Sequence, residues 1–220
     1  MTIVRRSPFY ALCLMLGALS FGVAGLAHPM LRGDVAAQLA TIARCDAWRV
    51  IHWSLLFGLP LMLAGLAGLT LRHQDTPGAG PARAALTVAT FGFAALMVNI
   101  LFMAGAGWHL AHTYAAAEPG LAAIHTVYLY DMLHPFGLAA ERLATFAMGL
   151  AFYLYGWATR NGGVCPRWLS WGAFVAGSIC LVLPLAASEE SLTLYYGQAT
   201  LVLWMAAAGV VMLVEKTTQR

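Results

Sequence analysis

Seven histidines occur in the chain. Imidazole is the commonest metal ligand and a proton carrier near neutral pH. Six of them, His28, His52, His109, His112, His125 and His134, fall at or near the same side of successive apolar runs, and only His73 falls at the other. Asp34, Asp46, Glu118, Asp131 and Glu141 share the histidine-rich side. Helical spacing limits which of these act together. Each residue turns a helix by ~100°, so residues three apart lie roughly 60° from each other on one face. His109 with His112, and Asp131 with His134, meet that condition. His125 and His134 point to opposite sides of a straight helix and serve one site only if the helix breaks between them. The expected ligand set is therefore His109 and His112, joined by His125 or by the Asp131/His134 pair. His52 enters from a neighbouring helix, and Glu141 points inward from a helix end. Three or four nitrogen and oxygen ligands suit zinc, copper or iron.

Haem b is the sharper version of the same idea. A membrane haem takes an axial imidazole from each of two facing helices, and His52 with His109, His112 or His125 supplies such a pair. Gly105, Ala106 and Gly107 would let a flat cofactor approach just before His109. The plain reading of the same side chains is that they are interfacial, bonding headgroups or water. Two functions of other classes stand beside metal or haem binding. One is a non-catalytic accessory or scaffold subunit of a membrane complex. The other is a binding protein for lipid or an apolar small molecule, with the histidines as acid–base groups. The sequence has no C-x-x-C-H, Walker loop, G-x-S-x-G or H-E-x-x-H motif, and it assigns no catalytic residue. Cys13, Cys45, Cys165 and Cys180 lack metal-ligand or redox spacing.

The elements that carry these side chains follow from composition. Of the 220 residues, 61% are hydrophobic and 10% charged, and the mean hydropathy is +0.75. A soluble domain is typically ~45–50% apolar and ~25% charged. A bilayer core takes ~20 apolar residues per helix, because each adds ~1.5 Å of rise to a slab ~30 Å thick. Runs free of Asp, Glu, Lys and Arg separate Arg6 from Arg32, Arg49 from Arg72, Arg83 from Glu118, Arg142 from Arg160, Arg167 from Glu189 and Glu190 from Glu215. These runs predict an all-α, polytopic transmembrane bundle of six helices in a single domain, 1–220. The spans are about 8–27, 50–71, 84–107, 138–158, 168–187 and 193–214. A short surface or re-entrant helix over 121–133 precedes the fourth span, ended by Pro135 and Gly137. The alternative is one long helix from Leu121, kinked near Pro135.

Lys and Arg set the orientation. With the amino terminus in the cytoplasm, Arg5, Arg6, Arg72, Arg83, Arg160, Arg167, Lys216 and Arg220 are inside, against Arg32, Arg44, Arg49 and Arg142 outside. Both termini are then cytoplasmic, in what the composition suggests is a bacterial inner membrane. The partners expected are the lipid bilayer and a membrane-protein partner or second copy. Nucleic acid is not expected, because the basic residues flank helices and form no patch. Residues 1–27 also read as a signal peptide, with Gly25-Leu26-Ala27 at the cleavage position; the longer uncharged run favours an anchor. Asn99 and Gln198 sit inside spans, where neutral amides act as interhelical glue. No span carries an acid or base at its centre, which speaks against ion-coupled transport.

Overall fold

The computed structural model describes residues 8–118, 120–186 and 193–214, the last segment with side chains from Tyr196 onward. Arg5, Arg6, Lys216 and Arg220 of the orientation argument, Pro119, Ala187 at the end of the fifth expected span, Glu189, Glu190 and Glu215 lie outside the described residues, as does the side chain of Tyr195. Everything described is helix or short connection. The helices are α1 (Pro8–Ala27), α2 (Val35–Arg44), α3 (Trp48–Arg72), α4 (Ala79–Phe102), α5 (Trp108–Ala116), α6 (Leu121–Gly162), α7 (Arg167–Ala186) and α8 (Thr193–Val214). A five-residue π-helical segment, Met103–Gly107, joins α4 to α5 without a break. Five helical segments are long and apolar enough to cross a membrane: Pro8–Ala27, Trp48–Arg72, Ala79–Ala116, Arg167–Ala186 and Tyr196–Val214.

Six long helices close into a ring. α1 packs on α3, α3 on α4, α4 on α6, α6 on α7, α7 on α8, and α8 returns to α1. Lipid gives helices no hydrophobic reason to associate, so close backbone approach carries much of the contact. A Cβ on Gly17 of α1 would come within 2.8 Å of the Gly58 carbonyl and 2.7 Å of the Met62 amide on α3. Gly149 of α6 and Gly177 of α7 approach each other's carbonyls just as closely. The main core runs down the ring axis through Leu14, Leu59, Met62, Phe93, Met148, Phe152, Leu169, Trp204 and Met205.

Residues 121–162 form one helix, with Pro135 inside it. A separate surface or re-entrant helix is not confirmed; the continuous alternative is what the structure contains. Glu141 consequently stands in the middle of a 42-residue helix, not at the start of one. At ~1.5 Å per residue that helix is about 63 Å long, twice a bilayer core. Its antiparallel neighbour Ala79–Ala116 has 38 residues and measures about 57 Å. Both run on past the other ring helices at the histidine-bearing end. There α2 caps the extension. Asp34 starts α2 by accepting the Ala37 amide at 2.8 Å, the ordinary N-cap bond. Leu39 and Ile42 of α2 pack with Trp48, Met103, Ala111 and Tyr130 into a second, smaller core.

Candidate functional site

Three of the polar features among the described residues bear on function. The first is at the histidine-bearing end. Trp48, fully buried, opens α3 and donates its indole N–H to the Met103 carbonyl at 2.8 Å. A π-helical turn disturbs the regular i→i−4 ladder, and the indole supplies a donor at its first residue. One turn on, His52 is 2% exposed and lies against the Trp48 ring, with centroids 4.4 Å apart. Its Nδ1 is 2.8 Å from the Trp48 carbonyl. A carbonyl only accepts, so Nδ1 carries the proton and Nε2 is left with its lone pair. His28, just past the end of α1, brings its ring centre within 5.0 Å of His52 and 4.9 Å of Trp48. Burial pushes the His28 imidazole below its usual range, and the backbone carbonyl of Pro29 opposes that shift.

The second feature lies on the ring axis. Glu141 of α6 accepts from Asn99 of α4, Nδ2 to Oε2 at 2.7 Å. Its other oxygen, Oε1, accepts from Gln198 Nε2 of α8 at 3.0 Å. Gln198 Nε2 also lies 3.2 Å from Thr145 Oγ1, and that hydroxyl donates to the Glu141 backbone carbonyl at 2.9 Å. Asn99 Oδ1 is buried with no hydrogen-bond partner. It occupies the space where a Cβ on Gly137 would stand. A cavity of about 20 Å³ adjoins this node, lined by Thr145 and Gln198 at its polar end and by Phe21, Met62, Phe93 and Met148 elsewhere. The third feature is His73, fully buried at the opposite end with neither ring nitrogen bonded.

The residues expected to form one ligand set are spread over this layout. His109, His112, His125 and Asp131 are exposed. His112 lies against Trp108, centroids 4.2 Å apart, with the Arg49 guanidinium 5.0 Å from the same indole. His134 lies against Tyr130 and Phe102. Glu141 turns to the amides. Among the described residues no three of His, Cys, Asp and Glu are grouped to hold a metal ion. What the structure does bring together is His52 with His28, and Glu141 with Asn99, Gln198 and Thr145. His28 was visible as a histidine of the same side, but its pairing with His52 depends on α1 and α3 being neighbours. Asn99, Glu141 and Gln198 were each visible as polar residues in or beside apolar runs; only the ring order places them at one depth.

No family model matches the chain, and no curated protein or solved structure is significantly similar to it.

Proposed function

We propose that the chain is a six-span membrane protein that binds a transition-metal ion between His28 and His52. α6 is the sixth span in this reading, because it sits wall to wall with α4 and α7 in the ring. On this reading the basic loops Arg72–Arg83 and Arg160–Arg167 are inner, with both termini in the cytoplasm and the six histidines other than His73 outside. The observation that carries the metal reading is the imidazole pair against Trp48. His52 spends one nitrogen on a backbone carbonyl. Metal-ligating histidines are oriented in this way, by an acceptor on the other ring nitrogen that fixes the tautomer. Two imidazoles leave positions for solvent or substrate on copper or zinc, both of which accept nitrogen ligands at ~2 Å. Rings whose centres are 5.0 Å apart admit a bare ion and leave no slot for a porphyrin. Haem would have to use His52 with His109, His112 or His125, and those three are exposed.

Metal analysis of the full chain, purified from cells supplied with copper, zinc and iron, tests the reading. Bound metal near one per chain is expected, lost in both His28→Ala and His52→Ala. A metal-free, colourless preparation ends it.

A partner subunit is the second reading, favoured by a stripe on the extended part of α6. Leu121, Ile124, Tyr128, Met132 and Phe136 are each at least 60% exposed and lie on one helix face. Crosslinking in native membranes is expected to join this face to a neighbouring polypeptide, and Ile124→Glu to abolish the product.

A further inference from the structure

We infer that Glu141 is a proton-exchange site on the axis of the ring, with Asn99 as the amide that serves both of its protonation states. A carboxylate taken out of water is costly unless its oxygens are satisfied. Here each oxygen receives one N–H, from Asn99 and from Gln198. A protonated carboxyl escapes the cost of charge but must find an acceptor for its O–H. That acceptor is present. Asn99 Oδ1 is buried beside the carboxyl and holds no hydrogen bond, and half a turn of the amide about its last torsion presents it in place of Nδ2. The absent side chain of Gly137 is what leaves room for that oxygen.

The charged neighbour on the same helix is Arg142, whose Nη1 donates to the Pro184 carbonyl of α7 at 2.9 Å. The other elements around the node present Asn99 from α4, Gln198 from α8, Phe21 from α1 and Met62 from α3, none of which titrates. The step is simple: hydronium gives a proton to one Glu141 oxygen and leaves as water, and the amide of Asn99 turns to accept the new O–H. Protonation thus replaces a donor by an acceptor at the contact of α4 with α6. Proton uptake is thereby linked to how α4, α6 and α8 sit together, which fits a proton-coupled activity. This is independent of the metal reading, since neither His28 nor His52 touches the node.

The test is pH-difference infrared spectroscopy of the full chain in lipid nanodiscs. A protonated-carboxyl C=O band is expected to grow as pH falls, and Glu141→Gln, which keeps the shape and one oxygen, removes it. Asn99→Ala and Gly137→Ala keep the carboxyl and are expected to shift the midpoint of that band. The latter two carry the test if Glu141→Gln fails to fold. A band undiminished in Glu141→Gln overturns the proposal. So does an unchanged midpoint in both other variants, or a midpoint that moves when sodium replaces choline at constant ionic strength, which would assign the oxygens to a metal cation.

Discussion

His52 and His73 stand at the two ends of one helix, α3, and both are buried. Their surroundings differ, and the difference decides what each can do. His52 has a carbonyl on Nδ1, the Trp48 ring against it and a second imidazole at 5.0 Å. His73 is wedged against the backbone of Gly78 and Gly162, with both nitrogens unpartnered. The first ring is oriented and keeps an available lone pair. The second is a plug: it fills space at a turn and gains nothing from its nitrogens. Burial alone is therefore no sign of a functional histidine; the sign is burial with one nitrogen spent and a second group facing the other.

The strongest way to break the histidine-bearing end is Trp48→Ala. The indole is fully buried, backs both imidazoles and caps the π-helical segment. Removing a buried aromatic costs about 3–5 kcal/mol, and the Met103 carbonyl loses its donor as well. Thermal unfolding in detergent is expected to move down sharply, and metal binding to weaken with it. Trp53→Ala is the control, since Trp53 is 43% exposed and its loss is expected to change little.

The opposite end breaks with acid. Burial lowers the His73 imidazole to about 4, with the Arg72 charge adding to the effect. The unfolded chain therefore takes up its proton first. Stability is complete above the ordinary value near ~6.5 and is lost as pH falls toward 4, by up to about 3 kcal/mol. Melting temperature measured across that window is expected to fall, and His73→Leu, which keeps the bulk without the titration, to flatten the slope. His52 is not the source of such a slope if the same profile is seen in His52→Ala.

Between the two ends, Asn99→Ala removes one of the two donors to Glu141. Hydrogen bonds to charged groups are worth ~1.5–3 kcal/mol in soluble proteins, and average nearer ~0.6 kcal/mol in membrane proteins. A loss of about 1–2 kcal/mol is expected on the same grounds. Gln198→Ala should cost a similar amount. The pair should cost more than the sum, because a buried carboxylate with one amide left is still partly satisfied and with none is not. Steric-trap or denaturant unfolding of the four proteins checks this, and strict additivity would mean the two amides do not share the carboxyl.

The helices were legible because charge interrupts apolar runs at bilayer spacing, and lipid permits few other structures. α1, α3, α7 and α8 begin and end within a few residues of the expected spans. What the runs did not reveal is continuity. Pro135 reads as a terminator, yet α6 passes through it, and α4, α5 and α2 all pack against that helix. The same error moved Glu141 to a helix end and turned it, on paper, toward the histidines. The two groupings come from the tertiary arrangement. His28 and His52 are 24 positions apart and Glu141 and Gln198 are 57, and only the order of helices around the ring makes either pair neighbours.

The smallest effect expected is also the one that separates the two groups of histidines. His109, His112 and His125 were the most attractive ligands by spacing, and all three are exposed. Exposed substitutions away from caps and buried contacts usually change stability by under ~0.5 kcal/mol. His112 is the partial exception, since its ring lies on Trp108 and its Nδ1 is 3.0 Å from the Trp108 carbonyl. The triple replacement of His109, His112 and His125 by Ala is thus expected to fold, to melt within a degree or two of the wild type, and to keep its metal content. Loss of the metal with the fold intact would move the site out to α5 and α6 and leave His28 and His52 as an aromatic packing contact around Trp48. None of the three side chains hydrogen-bonds to or stacks on Trp48, His28 or His52, so such a loss would point away from the His28/His52 contact.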